Sequence, residues 1–560
     1  MRKKMPLADT VIQNADIYTL DSKRSRAQAL AIRNGRLALV GDTAEVAIHV
    51  GPDTDVFDLE GKMVLPGFID SHAHVSGAPN PDAEADLNNM ASIAEILAAV
   101  EQFAGTHPEH RVIYGSGWKN EFFGPAGPIK EDLDAIISDK PVLLTSEDGH
   151  FAWVNSKAIE LAGVSNTSVN PLGGLIERNP QTGEPSGTFR ETARDLIQNV
   201  LPPLTTDQIK CSIQNFMQEA ARVGITSVHD PLLIMQGAQG QLNGFGALSN
   251  NIQAFAEMAR DQKLTIRVRG TVLTDPTAGV DQLESIAAAC KRQYPNFQIT
   301  GIKVFVDGVV EGGTAYLLAP YAHLPEERGA PLWEPDALNE VITAADKAGL
   351  QIHIHVIGDA ALRMALNALE QAQFENGQWG SRHLITHLHI VDRSDIARMA
   401  KLNVIGVPQP FWHAKGDYFR DIEVPILGNA RAEKAYPMQS LVKAGMLLAA
   451  ASDYPVQVPS PPLMGIQMGV TRCEPGVDDP QEILDPQECM SLADMLASFT
   501  INGAYANFLE QETGSIEMGK MADLVILDKN LFEIPVTEIA DVNVLMTMFE
   551  GRIVYRDAAI

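Results

Sequence analysis

Pro66-Gly67-Phe68-Ile69-Asp70-Ser71-His72-Ala73-His74 is the stretch from which the fold is read. The run 63–70 has the apolar, β-favouring composition of a buried strand, and two histidines follow it with one residue between them. Side chains of an extended chain alternate faces, so His72 and His74 present their imidazoles to the same side. Two neutral imidazoles converging from one strand end suit a divalent transition metal. Taken alone, the pair also reads as two incidental histidines at a strand end.

Outward from this stretch, short apolar runs alternate with helical patterns, the signature of a parallel sheet wrapped by helices. Eight runs read as strands: 63–70, 224–229, 266–272, 302–306, 351–355, 383–387, 403–407 and 446–452. Helical patterns over 336–348, 360–373 and 393–401 lie between several of them. Eight strands with intervening helices predict an α/β fold of the TIM-like (β/α)₈ barrel class. About 150 residues separate the first two strands, far more than a βα loop needs. This stretch has β-rich runs of its own, so an inserted subdomain over about 78–205 is expected above the barrel mouth. Both chain ends are β-rich, and Asn34-Gly35 between two such runs is a hairpin signal. The expected organisation is one small β-sandwich domain built from 1–62 and 499–560, with the barrel over 63–498.

Other polar residues choose the same end of the predicted strands. His353 and His355 close the fifth, His383, His387 and His389 surround the end of the sixth, and Asp453 follows the eighth. The C-terminal face is where barrel active sites are built. Lys303 stands inside the fourth strand, where a lysine is costly unless paired or modified. Two readings of it stay open. A neutral, pKa-depressed amine takes up CO₂ and becomes a carbamate able to bridge two metals; a plain ammonium snorkels to a salt bridge and leaves room for one metal.

With these residues in view the chain resembles the amidohydrolase superfamily, and within it the amidohydrolase-3 branch that includes N-substituted formamide deformylases. The matching text runs through Leu65-Pro-Gly-Phe-Ile-Asp-Ser-His-Ala-His, Asp148-Gly-His-Phe-Ala-Trp-Val-Asn-Ser, Lys303-Val-Phe-Val-Asp-Gly and His355-Val-Ile-Gly-Asp. It continues through Arg382-His-Leu-Ile-Thr-His387, Ala451-Ser-Asp-Tyr-Pro and Gly519-Lys-Met-Ala-Asp-Leu-Val. The resemblance implies His72, His74, His355, His387 and Asp453 as the metal centre, with Lys303 as its carboxylated bridge. It implies a divalent metal, Zn²⁺ foremost, as one or two ions, and Asp453 as general acid/base. The motif holding His150 approaches the site in this family, which implies that His150 polarises a substrate carbonyl; a turn histidine capping the neighbouring Asn155-Ser156 is the alternative. His353, His383 and His389 read as supporting or packing residues. Thr386, His389, Ala360 and Ala451 depart from the branch's usual residues without removing a ligand.

The expected activity is metal-dependent hydrolysis of a C–N bond in a small amide, formamide or cyclic amide. The alternative is a catalytically silent barrel that binds metal or ligand as a sensor. Trp118, Phe122, Phe123, Phe151 and Trp153 suggest a partly aromatic pocket, with Trp118 against the substrate, or else the insertion's own core. Gly514-Ser-Ile-Glu-Met-Gly-Lys-Met lacks the Ser or Thr that a phosphate loop needs after its lysine. There is no G-x-S-x-G and no H-E-x-x-H.

Composition narrows the field further. The 560 residues match three to four average domains or one elaborated barrel. Forty-three Lys and Arg against 71 Asp and Glu give a net charge of −28, which argues against nucleic acid or an anionic membrane as partner. The four cysteines are too widely spaced for a CxxC pair or a disulfide framework. Met1-Arg2-Lys3-Lys4 is basic but no apolar segment follows it, so a cytoplasmic protein is expected. A homodimer is the default expectation.

Overall fold

A computed structural model describes residues 7–171, 173–236, 242, 244–457, 460–477 and 479–558. The run 63–70 is two strands, not one. Met63–Pro66 pairs in parallel with Asp16–Tyr18 and antiparallel with Leu524–Leu527, whereas Phe68–Asp70 pairs in parallel with Ile225–Leu233. Gly67 is the crossing point. A Cβ there would run into the Thr226 side chain, which would have to shift to admit any larger residue. The chain therefore leaves the terminal β sheet at Gly67, later than the expected boundary at 62/63.

The central sheet contains β1 (Phe68–Asp70), β2 (Ile225–Leu233), β3 (Arg267–Leu273), β4 (Phe297–Phe305), β5 (Gln351–Val356), β6 (Leu384–His387) and β7 (Ile405–Val407). They lie side by side in chain order, and every neighbouring pair is parallel. Both faces are buried along β2 and β5, as in parallel sheets covered on both sides. Helix Pro335–Lys347 shows the complementary pattern, burying Leu338, Val341, Ile342 and Ala345 on one stripe. This is a TIM-like α/β architecture.

The expected eighth strand over 446–452 is irregular. A single parallel bridge joins Leu448 to Gly406. The amides of Ala449 and Ala451 donate to Gly406 and Pro408, and the Ser71 amide donates to Ala450 across 3.2 Å, so the segment still lies between β7 and β1. Its remaining groups are diverted. Ala450 N–H donates to Ser498, Ile69 N–H of β1 to Phe499, and the Asn502 amide to the Leu448 carbonyl. Pro408 has no N–H to offer a ladder.

Between β1 and β2 the chain forms a six-stranded mixed sheet, ordered Gly174–Arg178, Pro185–Glu191, Phe151–Val154, Val142–Ser146, Ile113–Trp118, Ala85–Asp86. The chain ends form two more sheets that share a core including Ile12, Leu30, Val64, Leu524, Ile526 and Met546. Asn34 and Gly35, with φ of 51° and 74°, make the hairpin turn between Ala29–Arg33 and Arg36–Gly41. Among the described residues no helix is long and apolar enough to cross a membrane.

One buried ion pair ties β3 to the terminal sheet: Arg267 Nη1 lies 2.7 Å from Asp523 Oδ2, and Arg267 is 1% exposed. Arg267→Met should leave a buried carboxylate without its cation and cost about 3–5 kcal/mol. Urea unfolding measures it; an unchanged midpoint would show that the pair is not a tie.

Candidate metal centre

The turn after β1 is built to hold its histidines. Asp70 Oδ1 accepts from the amides of His72 and Ser452, and Oδ2 lies 2.5 Å from the Ser452 hydroxyl. Burial raises the Asp70 carboxyl to about 6 despite these donors. The backbone zips the two segments together, with Asp453 N–H donating to His72 and His74 N–H to Tyr454. Asp453 takes a left-handed φ of 61°, and His387 a φ of 71°. Such conformations in non-glycine residues concentrate at functional sites.

This backbone brings Nε2 of His72 and Nε2 of His74 to 3.1 and 3.0 Å from the same oxygen, Oδ1 of Asp453. The three ligand atoms lie within 4.8 Å of one another. Oδ1 is buried and accepts no well-formed hydrogen bond. Burial pushes His72 well below its ordinary value, so its imidazole is neutral. A lone pair facing a carboxylate at this distance is repulsive unless a cation lies between them. The donor set fits a divalent cation.

His355, His387 and Lys303 complete the cluster. The rings of His355 and His387 are 4.5 Å apart, and His387 is 5.2 Å from His72. His355 Nε2 is 3.1 Å from the Gly308 carbonyl, which leaves Nδ1 as its free nitrogen. His387 Nδ1 is 3.0 Å from Gln409 Oε1. The Gln409 amide nitrogen donates to Thr386 and Val407, so its oxygen must be the acceptor and His387 Nε2 is left free. Burial lowers His387 to about 3 and His355 well below its usual value. Lys303 is fully buried, and its Nζ has no hydrogen-bond partner and stands 4.7 Å from the Phe305 ring centre. Burial lowers its pKa to about 7, with Asp453 opposing the shift.

His150 reaches the same cavity from the insertion. Its Nδ1 lies 2.8 Å from Glu191 Oε2, and Glu191 Oε1 accepts from the Thr314 hydroxyl at 2.7 Å. The capping alternative fails, because Asn155 caps its own helix by accepting from Ala158 N–H. Burial alone would depress His150, but Glu191, with help from Asp148 and Glu311, lifts it to about 9. Gly308 admits this pair: a Cβ there would lie 2.2 Å from both Glu191 Oε1 and Thr314 Oγ1. Glu191 itself sits at φ 47°.

The cavity, about 430 Å³, is lined by His72, His74, His150, His355, His387 and Asp453. Its aromatic wall includes Phe245, Phe305, Phe411, Trp412 and Tyr418 from the barrel's loops and strands, with Tyr114 from the insertion. Trp118, expected against the substrate, is fully buried elsewhere. Its ring N–H donates to Leu144, and it packs on Phe123, Phe151 and Trp153. The insertion packs these aromatics into its own core, beside Ile96, Val100, Leu133, Val142 and Leu144. His389 lines the cavity with Nε2 2.5 Å from Glu423. His383 bonds Asp346 and the Ile352 amide, away from the site. Glu191 and Gln409 escaped sequence reading; each is remote in sequence from the imidazole it orients and belongs to no short motif.

A sequence model described as the amidohydrolase family matches residues 55–555. LONG AFTER FAR-RED 3 of Arabidopsis thaliana is 32% identical over 551 residues, covering 98% of this chain and 92% of that protein. The N-substituted formamide deformylase of Arthrobacter pascens is 26% identical over 567 residues, covering 98% of each. The crystal structure of an uncharacterized metal-dependent hydrolase from Pyrococcus horikoshii superposes with a TM-score of 0.73 at 26% identity, covering 94% of this chain and 99% of that one.

Proposed function

Since the chain belongs to the amidohydrolase family, we propose that it is a metal-dependent hydrolase acting on the C–N bond of a small amide, formamide or cyclic amide. The observation that carries this reading is the convergence of His72 Nε2 and His74 Nε2 on one buried Asp453 oxygen. His72, His74 and Asp453 would hold a first ion, Zn²⁺ by ligand chemistry, with His355, His387 and a carboxylated Lys303 available for a second. A divalent ion at this site supplies a water acidic enough to lose its proton near neutral pH.

Asp453, ionised in the cluster, takes up the proton of the attacking water and later delivers it to the leaving nitrogen. His150, held as a cation by Glu191, donates a hydrogen bond to the substrate carbonyl oxygen as that atom gains negative charge. The aromatic wall excludes water and accepts an apolar substituent on the acyl or amine side. The Arthrobacter pascens relative, a formamide deformylase by name, makes N-substituted formamides the first compounds to test. A panel of N-formyl amines, N-acyl amines, ureas and lactams, assayed with and without chelator, tests the reading. Metal-dependent turnover of at least one class is expected; metal-loaded protein inert towards all of them would favour a binding role.

Lys303 supplies a separate prediction. An amine with a pKa near 7 is substantially unprotonated at neutral pH and open to CO₂. Reconstituting metal-free protein with zinc should give two ions per chain with bicarbonate and one without it. A stoichiometry of one under both conditions would rule out the bridge.

A further inference from the structure

Beneath the metal centre, a line of four buried side chains runs from His72 through three that the hydrolytic reading does not use, His353, His229 and Asn507. His72 Nδ1 lies 2.8 Å from His353 Nε2. His353 Nδ1 lies 3.3 Å from His229 Nε2, and His229 Nδ1 lies 2.7 Å from Asn507 Oδ1. None of the four is more than 1% exposed. His229 ends the expected second strand, and Asn507 follows helix Ile501–Ala506 near the chain's far end.

A row of neutral imidazoles has one proton per ring, so each contact needs a donor facing an acceptor and the whole row runs one way. Its direction is decided at Asn507. The Asn507 amide nitrogen donates to the Gly503 carbonyl at 2.8 Å, and reversing the amide would set two carbonyl oxygens against each other. Oδ1 therefore faces His229 and accepts from Nδ1–H. His229 Nε2 is then an acceptor for His353 Nδ1–H, with Thr271 Oγ1 3.3 Å away as its other neighbour. His353 Nε2 in turn accepts from His72 Nδ1–H, which leaves the lone pair of His72 on Nε2. That nitrogen is the one aimed at Asp453 Oδ1.

We infer that Asn507, acting through His229 and His353, is a positioning residue that holds His72 in the tautomer able to bind a metal. The row opposes two alternatives at once: the Nε2–H form favoured by an isolated imidazole in water, and donation from His72 Nε2 to Asp453. Its consequence for the metal rests on the proposed metal centre; the tautomers themselves do not.

The test uses the full chain labelled with ¹⁵N-histidine. Imidazole nitrogen shifts of the zinc-free protein, assigned with His229→Gln and His353→Gln variants, should place the proton of His72, His353 and His229 on Nδ1. A proton on Nε2 of His229 or His353 in the wild type would overturn the inference. In parallel, Asn507→Leu should bind zinc about tenfold more weakly than wild type in competition with a chelator. A purely structural role would instead lower the thermal midpoint of the zinc-free protein and leave zinc affinity unchanged, which would also overturn it. Should the leucine variant not fold, the wild-type shifts decide alone. If wild-type protein takes up no zinc, the metal reading fails, while the shifts still decide the direction of the row.

Discussion

Asp453→Asn is expected to lower kcat on the best substrate by about 10³-fold or more while leaving bound metal largely in place. Asparagine tolerates the left-handed backbone that Asp453 adopts at φ 61°, so the turn should survive. Its amide oxygen can still face His72 and His74, which approach Oδ1 at 3.1 and 3.0 Å. What it cannot do is accept and return a proton. The native carboxyl is held well below its ordinary range, so loss of activity on acidification should come from ligand protonation rather than from this base. Kinetics and metal analysis of the same preparation check the expectation. Turnover within tenfold of wild type would remove Asp453 from the proton path, and simultaneous loss of metal would make it a ligand first.

Glu191→Gln is expected to cost about 10²-fold in kcat, the scale of losing one oxyanion donor. Glu191 never reaches the cavity's reacting centre; it acts by holding His150, 2.8 Å away, as a cation. The sign follows from the raised pKa. His150 is charged below about 9 and neutral above it, so the wild-type kcat/KM should fall through an alkaline limb near that pH. The same pairing stabilises the fold fully below the ordinary histidine pKa and ceases to do so as pH rises through 9. With glutamine at 191, burial is left as the dominant influence on His150 and the limb should move down by more than one pH unit. An alkaline limb fixed near 9 in the variant would mean that another group sets it.

The parts of the site that were legible in sequence share one property: a local pattern fixes them. His72 and His74 are paired by strand alternation; the predicted parallel strands deliver His353, His355, His383, His387, His389 and Asp453 to one face, and it is the family resemblance that singles out His355, His387 and Asp453 among them. Partners that come from distant elements were not legible. Glu191 meets His150 only because two strands of the insertion lie side by side. Gln409 and Asn507 orient histidines by the direction of an amide, which no spacing encodes. The insertion's aromatics misled for a related reason: composition shows that Trp118 and Trp153 will be buried, but not whether against a ligand or against each other. The barrel's closing strand reads as apolar and extended, yet carbonyls of Ser498 and Phe499 compete for its ladder bonds. The split at Gly67 has a similar cause, because one extended run serves two sheets and only tertiary pairing shows where it changes partner.

The central claim is that His72, His74 and Asp453 assemble a metal ion that hydrolysis requires. It is tested most directly by titrating zinc into chelator-stripped protein while following hydrolysis of an N-substituted formamide or another active amide from the panel. Activity should be absent without metal and rise in proportion to bound zinc, saturating at one or two equivalents. Hydrolysis that persists undiminished in the stripped protein, or zinc binding unchanged when His72 and His74 are both replaced by alanine, would contradict it.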